Sequence, residues 1–277
     1  MKLHLIKSLF AAAGAALTLC APVTAQAGQI FLTGHDPDFH TQPSLGVGGR
    51  LLDVALGFVT GNTHRDGSSA QKFLWVESNI AAPSGHVKGY NSLDDIGVTL
   101  FDYDRVDAAG FATVNLANYN AIAIASSFGG TLTRAELDAL IARSADIAAF
   151  INAGGGLFAS AECDNCGADL LGSNPNLYGY LPISVTSIGA SPPFTVTAYG
   201  ASLGLTNADM NDPTHNSFGL TGGLNIVDTD SAGQATTLAG SVTLGCGGFC
   251  AVPEPGSLAL AGLALAALAL AGRRRRK

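Results

Sequence analysis

The sequence predicts an α/β fold: a flavodoxin-like, mostly parallel sheet flanked by helices, with β-rich additions towards the carboxyl terminus. Three observations predict it. The runs YNAIAIAS (residues 119–126) and LFASA (157–161) are apolar throughout. They lack the alternation of a half-exposed strand and read as strands covered on both faces. Between them lies a stretch with helical spacing, and strand, helix, strand in alternation implies a parallel sheet with right-handed crossovers. Beyond Glu162 the pattern changes to short β-type segments among Pro and Gly turns.

The elements follow in order. Gln29 to Thr33 (QIFLT) is a first short strand, broken by Gly34, and Ser44 to Val59 carries Leu45, Leu51, Leu52, Ala55, Leu56 and Val59 on a helical period before Gly61 and Asn62. Lys72 to Val76 (KFLWV) is a second strand, Val98 to Tyr103 (VTLFDY) a third, and Tyr119 to Ser126 a fourth. Thr131 or Thr133 then caps a helix. Glu136 stands three residues after Thr133, the spacing of a capping box, and Leu137, Leu140, Ile141, Ile147, Phe150 and Ile151 continue along one face until Gly154, Gly155 and Gly156. Leu157 to Ala161 is the next strand, and Tyr180–Ser187, Phe194–Tyr199, Leu224–Asp228 and Ala235–Leu244 are expected as later ones.

The two ends carry handling signals. Lys2 and Lys7 precede an apolar run from Leu9 to Leu19, and Ala25, Gln26, Ala27 supply an A-x-A site, so residues 1–27 read as a secretory signal peptide with the mature chain starting at Gly28. Cys20 also opens a lipoprotein reading, against which Leu19 stands where a small residue is usual. At the other end Val252, Pro253, Glu254 and Pro255 are followed by an uncharged Ala/Leu run and then by Arg273, Arg274, Arg275, Arg276 and Lys277. Prolines break regular structure, an apolar helix over 256–272 is just long enough to cross a bilayer, and the basic cluster holds its end on the cytoplasmic side. This three-part tail resembles the PEP-CTERM sorting signal, also named for the carboxyl-terminal domain of an ice-binding protein. The resemblance implies recognition and cleavage by the membrane protease exosortase, anchoring in the inner membrane in transit, and a final place at the cell surface or outside the cell. An ordinary single-pass anchor is the other reading. No ladder of Thr or small residues suited to an ice face repeats along the chain.

Residues 28–251 form the exported domain. Seven basic residues there face 20 acidic ones, a net charge of about −13. Such a surface repels phosphate backbones, so nucleic acid is excluded as a partner. Cys163, Cys166, Cys246 and Cys250 make an even set in an exported chain, which favours disulfides; the spacings also suit a four-thiolate zinc site, and C-D-N-C a redox pair.

The run YNAIAIASSFGGTLTRAELDALIARSADIAAFINAGGGLFASAE resembles the core of the class I glutamine amidotransferase-like superfamily, including its ThuA-like branch. FLTGHDPDFH and DPTHNSFGL resemble that branch's two histidine-bearing edges, and the likeness runs from Gly28 to Leu220. Aligned on GGGLFASA, the family nucleophile position falls on Ala161, which has no reacting atom, with Glu162 next.

His35, Asp36, Asp38 and His40 follow the first strand, at the carboxyl end where open α/β sheets bind ligands. With Glu162 and His215 at the same edge they offer imidazole and carboxylate donors for a small polar ligand or for zinc or iron. Surface decoration beside an Asp36–Pro37 turn is the competing reading. Asp102, Asp104 and Asp107 give a DxDxxD pattern that suits either calcium or a solvated strand end, and Gly46, Gly48 and Gly49 are too few for a dinucleotide fingerprint. No cofactor is called for. The sequence thus predicts an exported binding or structural module of the cell surface or exopolysaccharide matrix; the alternative is a hydrolase or metal-dependent enzyme using His35, Glu162 and His215 without an elbow nucleophile.

Overall fold

In the computed structural model the described residues are 27–40, 49–67, 72–78, 89–127, 131–160, 177–183, 185–210 and 216–245. All fall within one compact unit spanning 26–250. The signal peptide read over residues 1–27, all but Ala27, and the helix expected over 256–272 lie outside them.

The parallel half is built from β1 (Ile30–Thr33), β2 (Lys72–Val76), β3 (Tyr103–Val106), β4 (Tyr119–Ile124) and β5 (Gly156–Ser160). They lie in the order β3-β2-β4-β5-β1, every neighbouring pair parallel. Short helices join them: α1 (Pro37–His40) and α2 (Gly49–Thr60) after β1, α3 (Asn91–Asp95) after β2, α4 (Ala108–Thr113) after β3, and α5 (Arg134–Ala142) with α6 (Ser144–Asn152) after β4. Leu51, Leu52 and Leu56 of α2 and Leu93 of α3 pack with Phe31, Phe73, Trp75 and Phe158 on one face. Phe111 of α4, Leu137 and Leu140 of α5, and Ile147 and Ile151 of α6 pack with Ile30, Leu74, Ile122 and Leu157 on the other. The path from β1 through β2 to β3 runs one way across the sheet and that from β3 through β4 to β5 runs back. Right-handed crossovers require this change of direction to be a change of face. The reversal leaves β2 and β4 side by side with their chains departing in opposite directions, which is a topological switch point.

The β-rich additions continue the same sheet. β10 (Ala235–Gly240) lies antiparallel to β1, followed by β8 (Asn216–Thr221) and β6 (Val185–Gly189), while β9 (Asn225–Thr229) pairs β10 and β7 (Thr195–Val196). The sheet is therefore mixed: parallel on one side of β1 and antiparallel on the other. Because β10 runs against β1, its end meets the start of β1, and Ser241 Oγ donates to the Ala27 carbonyl at 2.7 Å. Beside it, Asn152 and Leu244 exchange two hydrogen bonds of 2.9 Å.

Four expected elements differ: in place of the Tyr180–Ser187 strand, residues 180–183 are turn and bend and the strand is β6. Residues 98–102 are a turn, and the strand starts only at Tyr103: Asp102 Oδ2 accepts from the Thr99 N–H at 2.8 Å and from Thr99 Oγ1 at 2.7 Å, which curls the backbone. The helix expected to run to Ile151 is two, α5 and α6, meeting at Arg143 with φ −105° and ψ 22°. The Arg143 guanidinium donates to the carbonyls of Phe111 (2.6 Å) and Val114 (2.9 Å) and to Asp146 (2.9 Å), fixing that joint against the end of α4. Phe194–Tyr199 yields only β7, since Thr197 caps α7 (Ala198–Ser202) by accepting from the Gly200 N–H.

Candidate functional site

At the carboxyl end of β1, Gly34 lets the chain pass under β8: a Cβ on it would sit 2.0 Å from the Asn216 carbonyl. His35 follows, fully buried, its Nε2 3.0 Å from Asp228 Oδ2 on β9 and its ring edge-on to Phe194 at 4.9 Å. Beneath it a polar row crosses the sheet. Strand register sets Ser160 beside Thr33, Thr33 beside Thr237, and Thr237 beside Asp228, and none is more than 3% exposed. Thr33 Oγ1 meets Thr237 Oγ1 at 3.0 Å and accepts from the His35 N–H at 3.1 Å. Among the described residues Ser160 Oγ and Asp228 Oδ1 have no hydrogen-bond partner. Hydroxyls and carboxyls without water or full pairing are costly in a core, so a row of them at one end of otherwise apolar strands marks this edge as polar by design.

A second group lies at the switch point. Asp38, buried in α1, accepts from the N–H and the hydroxyl of Ser126 at 2.9 and 3.0 Å, tying α1 to the end of β4. Glu77, the residue after β2, is 3% exposed. Its Oε2 accepts from Trp75 Nε1 (2.9 Å) and the Tyr90 N–H (2.8 Å), and its Oε1 lies 2.8 Å from Arg105 Nε. Arg105 stacks over the Tyr90 ring at 4.0 Å and donates to the Ser78 carbonyl at 3.0 Å. Gly89, at φ 44°, completes the cradle, since a Cβ there would come within 2.3 Å of Glu77 Oε2. Burial pushes the Glu77 carboxyl up from 4.5 to about 7, against the pull of the Trp75 hydrogen bond, the Arg105 charge and the Tyr90 N–H; the negative charge of Asp38 adds to the rise. Near neutral pH this carboxyl is thus poised between hydrogen-bond donor and acceptor. Ser127, fully buried beside Ser126, has no hydrogen-bond partner for its hydroxyl among the described residues.

Of the residues named from sequence, His35, Asp36, Asp38 and His40 are brought to this edge, with His40 Nε2 3.5 Å from Asp36 Oδ1. Ala161, Glu162, His215, Cys163, Cys166, Cys246 and Cys250 lie outside the described residues, as do Gly46 and Gly48. Among the described residues no three His, Cys, Asp or Glu side chains converge to hold a metal ion. The DxDxxD aspartates are each engaged separately: Asp102 in the Thr99 turn, Asp104 with Lys72 (2.7 Å) and the Tyr119 hydroxyl (3.0 Å), Asp107 as the cap of α4. Sequence reasoning missed Glu77, Arg105, Ser126 and Asp228. The first and third had a signal, a polar residue directly after an apolar strand; Asp228, 193 positions from His35, had none.

Residues 251–276 match the PEP-CTERM protein-sorting motif. The motif marks an exported protein that passes through the membrane to the cell surface and is processed by exosortase. It begins just past the described body, and it includes the Val252–Pro255 motif and the Arg273–Arg276 cluster. No curated protein and no solved structure matches the chain. Among the described residues no helix is long and apolar enough to cross a membrane.

Proposed function

We propose that the chain is exported by a cleaved signal peptide, held in transit by a membrane helix over residues 256–272, and released by exosortase to the cell surface or exopolysaccharide matrix. Its body, in this reading, is a degenerate amidotransferase-like domain, a flavodoxin-like sheet with antiparallel additions, and it binds a small polar ligand without turning it over. The observation that carries the binding role is the gathering of Asp36, Asp38, Glu77, Ser126, Ser127 and Ser160, all buried, at the carboxyl ends of four parallel strands around a switch point. Two facts support a module over an enzyme. One is the resemblance, under which the family nucleophile position falls on Ala161; the other is that His35 is taken up by Asp228 and Phe194. Oxidised Cys163, Cys166, Cys246 and Cys250 complete the picture of an extracellular domain.

The test uses cells producing the full chain, fractionated into culture fluid, surface and matrix polysaccharide. Wild type is expected with the polysaccharide, and Asp38→Asn with Glu77→Gln is expected to release a folded chain into the fluid. Equal retention of a folded variant, or no retention of wild type, would refute the matrix-binding role. Glutamine hydrolysis lost on Cys163→Ala would refute the non-enzymatic one.

A further inference from the structure

The chain enters and leaves the body on one edge. Ala27 and Leu244 are both held at the amino-terminal ends of β1 and β5, through Ser241 and Asn152. The opposite edge carries the polar groups described above. Described structure ends at Gly245 and the sorting motif begins at 251, so the body cannot stand further from the start of that motif than about 20 Å of extended chain.

The same amino-terminal edge holds the two most exposed large apolar side chains among the described residues, Leu100 at 74% and Phe101 at 72%. They sit in the turn before β3, and β3 runs parallel to β2, so they lie level with the chain exits. The turn is not a loose loop. Asp102 grips Thr99, and the Phe101 N–H donates to Thr99 Oγ1 at 3.3 Å, so both side chains are presented outward by a hydrogen-bonded frame. Several other exposed positions on this edge are small and uncharged, among them Gly97, Thr99, Ala117, Asn118, Gly154 and Thr243. Among the described residues Arg65 pairs with Asp53 at 3.3 Å and Lys72 with Asp104 at 2.7 Å. Asp66, Asp94 and Asp95 add exposed negative charge beside the apolar pair. An anionic headgroup layer would be repelled by that charge, and a zwitterionic one would not.

We infer that the amino-terminal edge of the sheet is a lipid-facing surface, with Leu100 and Phe101 entering the interface of a zwitterionic bilayer while the sorting tail tethers the chain. The inference rests on the proposed reading of the tail as a membrane tether. Large apolar side chains on a framed turn bury readily at the headgroup boundary, and tethering within reach replaces the affinity that two residues lack on their own. The polar edge then points away from the membrane, open to ligand before the tail is cut.

The experiment puts the full chain into vesicles of phosphatidylethanolamine and phosphatidylcholine brominated in the acyl chains. Native Trp75 is fully buried and gives a constant background. Phe101→Trp adds a reporter at the inferred surface; Leu220→Trp adds one at an exposed site (51%) on β8 beyond the position paired with the first residue of β10, towards the opposite edge. The added emission of Phe101→Trp should fall by about twofold on flotation with the vesicles, and that of Leu220→Trp should not change. Co-flotation with equal emission from both variants overturns the inference while leaving the tether reading standing. A chain that does not float removes the tether reading and the inference with it. Stronger quenching on adding phosphatidylglycerol refutes the charge argument, and protection that scales with protein concentration assigns the surface to a second copy of the chain.

Discussion

Replacing Glu77 by glutamine should remove a specific part of the pH dependence of stability. The carboxyl has an ordinary value of 4.5 and is pushed to about 7 in the fold, chiefly by burial. A folded state that holds its proton more tightly than the unfolded chain is favoured at low pH. The Glu77 contribution is therefore fully favourable below 4.5, declines as pH rises through the window from 4.5 to about 7, and levels off above it. Moving one carboxyl over that range is worth about 3 kcal/mol at most, a large share of the stability of a single domain. Glutamine keeps an oxygen that can accept from Trp75 Nε1 and the Tyr90 N–H but cannot titrate. Arg105 loses its anion and keeps the Tyr90 ring and the Ser78 carbonyl. Urea unfolding of wild type and Glu77→Gln, read every half pH unit from 4 to 8, isolates the effect as the difference between the two curves. That difference should shift by about 3 kcal/mol in favour of the variant as pH rises. A flat difference, or one that shifts in favour of wild type, would show that Glu77 is not a buried, proton-holding group and would remove the electrostatic basis of the site.

The remaining expectations concern packing, capping and processing. Gly156→Ala would put a Cβ 2.0 Å from the Val59 carbonyl, so it should force α2 off β5 and cost about 3 kcal/mol, whereas Gly189→Ala, which meets nothing within 4 Å, should stay within about 0.5 kcal/mol in the same denaturation assay. Thr133→Ala removes one half of the capping box and should cost about 1 kcal/mol. Glu136→Ala should cost more, because Glu136 Oε1 also accepts from the Ala108 N–H at the start of α4 (3.0 Å). Mass spectrometry of the mature surface protein should find neither residues 1–27 nor 273–277, and alkylation before and after reduction should reveal Cys163, Cys166, Cys246 and Cys250 only after it. An intact carboxyl terminus, or four thiols reactive from the start, would refute these last two readings respectively.

Local grammar was the readable part of this chain. The strands of the parallel half other than β3 sit where uninterrupted apolar runs put them, because burial on both faces leaves little room for polar residues. Thr133 and Glu136 announced the start of α5 through a bond pattern completed within four residues. The Val98–Tyr103 segment failed for a reason of the same range: its apolar content reads as strand, yet Thr99 and Asp102 bond each other and bend it. Arg143 could not be read at all, since the two carbonyls that seat its guanidinium belong to the end of another helix. The site divides in the same way. His35, Asp36, Asp38 and His40 were visible because a polar cluster follows an apolar strand, and Glu77 carries the same mark less loudly. The pairing of His35 with Asp228 depends on β9 and β10 docking against β1, which no spacing encodes.

That docking bears on when the chain can fold. β1 is the first strand to emerge during synthesis, and both of its neighbours come late: β5 begins at Gly156, and Thr33 meets Thr237 across 204 positions. Until those segments arrive, the strand at the centre of the finished sheet has nothing to pair with, and closing such long loops is slow. β2, β3 and β4 neighbour one another and can pair as they emerge, so the delay falls on β1 and on the joining of the two halves of the sheet through it. For a protein addressed across a membrane, that postpones closure of the sheet until nearly all of the chain has been made.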